Sequence, residues 1–383
     1  MKIAYVCTFL PQQCGIATYL DYLIRGIKAV NAKLQITVLA EKAAAAVSQE
    51  RLEIIPCWSR NENYVEQILG RLGQVDVIHV QHEYGIYRMD ERLPRLLEGL
   101  PSAIAKVVTI HCIIPAPFSD QGAVHEDYAA RIAKAADRVI VHLETQKEIL
   151  CRLGVSPETI HVIAHGTELN DEEMRSSRRR LDLPEAGRIL LMFGYIKPHK
   201  GFHLVLRALK RTLQTIPDAT FFIAGGLPPD PSRECIEYVA LIRKQIQQLK
   251  LEKHVIFPNK FFPNEDVRYL IAAADVVLFP YYEEDRSASG SLHLALGARK
   301  PVIATRIPKF EDLKNVCDEL LALPDNAAVI ARILIRLFQD PRFEQYVIRR
   351  ADQYRQITSW PEVANKHLHV YGEAKSQKES ADP

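Results

Sequence analysis

FPYYEEDRSASGSLHLALGARKPVIAT, residues 279–305, is the stretch from which the fold is read. It opens on the end of an apolar run, Val276–Phe279, that stops at Pro280, and it closes on a second run, 302–304, that starts after Pro301. Short apolar runs bounded by turn residues predict buried strands. Between them lie an acidic cluster, a Ser-Gly turn at 289–291, and an apolar run that predicts a short helix at 291–298. Strand, loop, helix and strand in that order make a βαβ unit. The sheet is therefore parallel, and ligands are expected where its strands end.

The same rhythm runs outward in both directions. In the first half, strands are expected at 2–7, 34–40, 75–80, 106–109, 138–142 and 160–163, with helices at 17–30, 64–72, 123–136 and 144–153. The second half restarts with strands at 188–194, 220–224, 254–257, 275–279 and 301–305, and helices at 201–216, 234–250, 265–273 and 291–298. A chain of 383 residues exceeds the usual single domain, so two doubly wound α/β domains are expected. The polar stretch NDEEMRSSRRRLDLPEAG, 170–187, ends in Pro and Gly and is the expected linker. This gives a first domain over 1–180, a second over 181–355 and a terminal segment over 356–383, with the last ten or so residues expected to fray. The basic run RSSRRR is read either as a solvated linker face or as a contact for anionic lipid or a phosphorylated acceptor.

Composition narrows the class. A hydrophobic fraction of 48% with 25% charged residues describes a globular chain with a full core. A net charge of +2 gives no reason to expect a nucleic-acid partner. Seven cysteines without CxxC spacing fit thiols used as small core residues in a reducing compartment. The start, MKIAYVCTFL, is strand-like, and no apolar run approaches the roughly 18 residues of a membrane span. A cytoplasmic protein is expected, with peripheral contact at the inner membrane left open.

Four motifs stand at strand ends. CTFLPQQCGIATYL places Gly15 where a helix should begin, as a turn glycine or as an anion contact at a helix N-terminus; it is not a dinucleotide GxGxxG. VIHVQHEYGIY supplies His82, Glu83 and Tyr84, and VVTIHCIIPAP supplies His111. Two histidines without a third ligand at zinc spacing predict no metal. LMFGYIKPHKGFHLVLRAL places Gly194 at a strand end and gathers Lys197, His199 and Lys200 just before a helix, as a phosphate site or as a solvated loop. Ser289, Gly290 and Ser291 immediately precede another helix, whose N–H groups suit an anion; with Lys200 they suggest a diphosphate.

Taken in order and spacing, LPQQCGIATYL, QHEYGIY, VTIHCIIPAP, FGYIKPHKG, HVIFPNKFFPNEDVRYLIAAADVVLFPY and SGSLHLALGARKPVIATRIPKFEDL are similar to the retaining glycosyltransferases of the GT-B fold, in particular glycosyltransferase family 4. The resemblance covers nearly the whole chain. It implies two Rossmann-like domains facing a central cleft, with the helix after Trp360 crossing back to the first domain. It also implies transfer of a hexosyl group from a UDP-, GDP- or ADP-sugar to a saccharide or lipid-linked acceptor, without metal or further cofactor, in bacterial polysaccharide or glycolipid synthesis. By the resemblance, Gly15 lies beside the donor phosphates, His111 is the active-site histidine, and Lys200 binds the diphosphate after Gly194. The loop with Lys260 and Phe261 cradles the base, while Ser289, Gly290, Ser291 and Leu292 hold diphosphate and sugar. The acceptor falls to His82, Glu83 and Tyr84.

The chain departs from the family in two places. Tyr195 stands where many members have an arginine. Counting from Pro280 puts Glu284 in the first of the family's paired glutamate positions, and counting back from Pro301 puts Arg286 there; Leu294 occupies the second. Glu284 is thus expected to act with His111 and Lys200, and Arg286 to replace the missing cation. The rival expectations are another nucleotide-sugar enzyme of this fold, an epimerase or phosphorylase, and a non-catalytic partner protein.

Overall fold

The computed structural model describes residues 1–282 and 286–381. The chain divides into two compact units. The first comprises Met1–Gly166, the described residues 286–290 and the chain from Thr358; the second comprises Thr167 to residue 282 and Ser291–Ile357.

The first unit is built on β1 (Lys2–Cys7), β2 (Gln35–Glu41), β3 (Val47–Gln49), β4 (Leu52–Trp58), β5 (Val77–His82), β6 (Ala105–Ile110), β7 (Cys112–Ile113), β8 (Arg138–Val141) and β9 (Ile160–Val162). All but β7 join one sheet in the order β3-β4-β2-β1-β5-β6-β8-β9. Its pairs are parallel except β3 with β4. The fully buried run of β5 reflects helices on both faces. The hairpin strand β3 and the strand β4 are absent from the sequence reading, because Pro56 and the flanking charges break the apolar run.

One face of this sheet is covered by the helix Gly15–Val30 and the terminal helix Trp360–Ala381. The terminal helix buries Trp360, Val363, Ala364, His367, Val370, Tyr371 and Ala374, a spacing that forms one stripe. Gly26 permits the close approach, since a Cβ there would stand 2.5 Å from the Trp360 carbonyl oxygen. The helix continues through the polar tail to Ala381, where composition predicts fraying. Ion pairs stand along this segment: Lys375 with Asp76 at 3.1 Å, Lys378 with Asp137 at 2.8 Å, and Lys375 with Glu379 on the helix itself at 3.6 Å.

The second unit has β10 (Arg188–Phe193), β11 (Ala219–Ala224), β12 (Val255–Ile256), β13 (Val276–Phe279), β15 (Val302–Thr305) and β16 (Leu321–Ala322), where β14 is Arg286–Ser287. They form one parallel sheet in the order β12-β11-β10-β13-β15-β16. The order reverses between β10 and β13, which is the switch point where such sheets bind ligands. In the first unit the corresponding reversal lies between β1 and β5. The short strand β14 pairs antiparallel with β7, Ser287 opposite Cys112 and Arg286 opposite Ile113, and both strands belong to the first unit.

The expected linker is not solvated throughout. Its basic run lies in the helix Met174–Arg180, and both Ser177 and Arg178 are buried within the second unit. Arg178 bonds Asp275 at 2.6 Å and the carbonyls of Ala273, Glu185 and Gly187 at 2.9, 3.0 and 3.2 Å. A guanidinium has enough fixed donors to satisfy four such acceptors, which a disordered linker could not position. The first stretch of the first unit ends at Gly166, and the second unit begins at Thr167.

Candidate functional site

In the second unit the predicted residues gather at the switch point. β10 ends at Phe193, and Gly194 turns the chain at φ 91°, a left-handed conformation that glycine adopts without strain. The amide of Gly194 donates to Ala224 O at 3.1 Å and that of Ile196 to Gly226 O at 2.9 Å, so the loop follows the end of β11. A turn of 3-10 helix, Pro198–Lys200, then leads into the helix Phe202–Thr212. Gly201 packs against the backbone of Pro280, the residue after β13. The loop thereby spans the two strands that flank the reversal.

Lys200 folds back over this turn. Its Nζ would stand 3.3 Å from a Cβ placed on Gly194, and it lies 5.7 Å from the centre of the Tyr281 ring. Tyr195, in the position expected to hold arginine, stacks on Phe261 with ring centres 5.5 Å apart and planes at 23°. Phe261 is half-exposed. Gly226 lets the backbone of Lys260 and Phe261 approach closely, which brings the two rings together. Lys260 and Phe261 also line a cavity of about 610 Å³ with Arg180, Phe222, Phe262 and Asp266. Lys200 is not among its walls.

The helix Gly290–Gly297 follows the Ser-Gly turn. Ser289 is buried and Ser291 is partly buried. Leu292 is fully buried, whereas Leu294 is partly buried against the core of the second unit. Glu284 lies outside the described residues, and Arg286 enters β14 through its backbone.

In the first unit, Gly15 opens the helix Gly15–Val30; its Cα faces open space, and Cys14 before it makes no side-chain capping bond. His82 ends β5 and is fully buried, ringed by Tyr84, Tyr87 and Tyr128. Burial alone lowers its pKa to about 3. The ring presents no exposed surface. Its neighbours remain reachable in part: Glu83 accepts from the Gly85 amide at 2.6 Å, and Tyr84 donates to His125 O at 2.8 Å.

His111 follows β6 and is also buried. Its amide donates to His82 O at 3.1 Å. Its Nε2 lies 2.8 Å from the Gln81 side chain and its Nδ1 3.1 Å from His142 Nε2; His142 Nδ1 in turn lies 2.8 Å from Ile163 O. The Tyr19 ring packs edge-on to His111 at 4.7 Å. Burial, reinforced by the nearby imidazoles of His142, His165, His79 and His82, holds the His111 pKa well below its ordinary value. His142, Gln81 and Tyr19 escaped the sequence reading. A signal was present, since His82, His111 and His142 end or follow three strands that are neighbours in the sheet.

Among the described residues, no group of three or more His, Cys, Asp or Glu side chains could hold a metal ion. No helix of the described residues is long and apolar enough to cross a membrane.

Residues 14–171 match the family described as Glycosyltransferase Family 4, and residues 187–340 match that described as Glycosyl transferases group 1. Over 262 residues, 64% of this chain, the sequence is 26% identical to D-inositol 3-phosphate glycosyltransferase of Salinispora tropica. It is 25% identical over 66% of its length to 2-deoxystreptamine glucosyltransferase of Streptomyces kanamyceticus, covering 67% of that protein. The chain spans 52%, about half, of the length of the Salinispora relative. The fold is that of HepE from Anabaena in complex with UDP, with TM-score 0.75 at 18% identity, covering 97% of this chain and all of that one.

Proposed function

Because the chain belongs to the group 1, family 4 glycosyltransferases, whose GT-B fold it shares, we propose that it moves a hexosyl group from a nucleotide-sugar donor to an acceptor hydroxyl with retention at the anomeric carbon. The observation that carries this reading is the placement of the Lys200 ammonium over Gly194 at the reversal between β10 and β13. The sugar–oxygen bond to the diphosphate breaks with its electron pair leaving on the phosphate oxygen. Lys200 and the main-chain amides at 289–292 stabilise that charge, a task they perform without a metal ion. The incoming hydroxyl attacks from the same face and passes its proton to the departing phosphate. No protein nucleophile is required, and Glu284 is assigned to the transferred sugar.

The base is assigned to the loop at 259–262, with Tyr195 and Phe261 as a stacked pair in place of the usual arginine. Arg286 supplies the second positive charge. Gly15 at its helix N-terminus serves the donor phosphates, and Glu83 with Tyr84 serves the acceptor, a saccharide or lipid-linked saccharide of bacterial polysaccharide or glycolipid synthesis. UDP is the first donor base to test, since HepE was solved with UDP and with UDP-glucose.

Thermal shift against UDP, GDP and ADP tests the reading. A ligand at about a hundred times its Kd adds about 2.7 kcal/mol of stability. One nucleoside diphosphate should raise Tm, and Lys200→Ala should abolish that rise. Absence of binding by all three would favour a non-catalytic member of the family. Turnover of a donor without transfer to any acceptor would favour an epimerase or hydrolytic chemistry. Arg286→Ala that leaves donor affinity unchanged, where Lys200→Ala abolishes it, would remove Arg286 from the site.

A further inference from the structure

We propose that His142 is a positioning residue for the transfer: it fixes the proton of His111 on Nδ1, so that His111 serves as a neutral, immobile wall and takes no part in proton transfer. The proposal rests on the proposed transferase function and on the resemblance by which His111 is its active-site histidine.

A carbonyl oxygen only accepts, so the 2.8 Å contact to Ile163 O places a proton on His142 Nδ1. Burial at 2% exposure favours the neutral imidazole, which carries a single N–H. His142 Nε2 is then a bare acceptor, and the proton in the 3.1 Å contact belongs to His111 Nδ1. A neutral His111 presents a bare Nε2 to Gln81 at 2.8 Å. The atom drawn there is Gln81 Oε1, with Gln81 Nε2 3.1 Å from His79 Nε2; a half-turn of the amide exchanges the two, so that the –NH2 donates to His111 Nε2 and the oxygen accepts from His79 Nε2–H. Both ring nitrogens of His111 are thereby committed to protein partners. The ring is further held by Tyr19, which packs on His111, His142 and His165 at 4.7, 5.2 and 5.2 Å.

Among the described residues, the groups that face His111 are His142, His165, His79, His82, Gln81 and Tyr19. The four imidazoles among them oppose a charge on it, as does its burial. No nitrogen remains to receive a proton from an acceptor hydroxyl. His142 acts as the group behind a metal-ligating histidine does, setting tautomer and ring orientation through the nitrogen away from the chemistry.

The test uses the full chain labelled with 15N at histidine, together with steady-state kinetics. In the wild type, imidazole correlations should show His111 neutral with its proton on Nδ1, unchanged from about pH 8 to about pH 6, a range that an ordinary histidine would titrate across. His142→Phe leaves the Nδ1–H without an acceptor, and kcat should fall about tenfold to a hundredfold with donor KM within about twofold. His142→Gln, whose amide oxygen can accept from Nδ1–H, should regain most of the loss. A proton on His111 Nε2, a wild-type kcat inflection that His111→Asn removes, or full activity in His142→Phe would overturn the proposal. Equal losses in the Phe and Gln variants with KM rising in step would also overturn it, as packing alone. Failure of the underlying reading is distinguishable: no nucleotide sugar would then be turned over, while the imidazole spectrum would still report the tautomer.

Discussion

Lys200 and Gly194 carry the proposed chemistry on two residues whose positions depend on each other. Lys200→Ala removes the cation without disturbing the helix Phe202–Thr212 that follows it. The expected result is a loss in kcat of about a hundredfold to a thousandfold, comparable to removing one oxyanion donor, with Tm in the absence of ligand nearly unchanged. Gly194→Ala imposes strain at φ 91° and brings a Cβ to 3.3 Å from the ammonium. It should cost about 1–2 kcal/mol by urea unfolding and weaken nucleoside diphosphate binding as Lys200 is displaced. At this scale the sequence was legible where a residue stands beside its own loop, as with Gly15, Gly194 and Lys200. It was illegible where the partner is remote. Two of the tyrosines around His82, Tyr84 and Tyr87, stand in QHEYGIY itself, but nothing there announces the third, Tyr128, and nothing near Tyr195 announces Phe261.

Among the elements, the helix Met174–Arg180 shows how a charge run becomes structure. Asp275 accepts from Arg178, from the Ile189 amide at 2.6 Å and from Arg188 at 3.3 Å; Arg178 is buried and Asp275 partly so. Arg178→Ala leaves the carboxylate and three carbonyls short of a donor. It should cost about 3 kcal/mol or more, read as a fall in urea midpoint, while the exposed Arg179→Ala should stay within about 0.5 kcal/mol. Composition reads all four arginines of the run alike, because helical phase decides which one points inward, and the helix start was not evident.

Lys300 offers a pH test on the same scale. It donates to Ala272 O at 2.8 Å, and burial lowers its pKa from 10.5 to about 8, opposed by Asp275. The folded state therefore binds this proton more weakly than the unfolded chain, so stability rises with pH between about 8 and 10.5. Below about 8 both states carry the proton and the burial cost stands in full. Relative to Lys300→Met, the wild type should gain stability over that window and show a constant difference beneath it, as measured by urea unfolding across pH.

For the whole molecule, the alternation of apolar runs and helical patterns was enough to reveal two doubly wound units, because parallel sheets bury their strands on both faces and leave continuous apolar runs. Strands β3 and β4 were missed at an edge where Pro56 interrupts the pattern. The return of the terminal helix to the first unit came from family resemblance, and the contact that fixes it, Trp360 against Gly26, joins residues too distant for any sequence period to link. Gly26→Leu should therefore loosen the terminal helix and lower the Tm of the whole chain, whereas Gly372→Ala, with nothing within 4 Å of its Cβ, should leave or slightly raise it.

The central claim is tested most directly by product analysis. The chain is incubated with the nucleotide sugar whose nucleoside diphosphate gives the largest thermal shift, 13C-labelled in the sugar, and with a panel of saccharide and lipid-linked acceptors. The account predicts release of nucleoside diphosphate in step with a glycosylated acceptor, and an anomeric carbon in the product of the same configuration as in the donor. An inverted anomeric carbon would contradict the proposed same-face displacement, and transfer undiminished in Lys200→Ala would contradict the site.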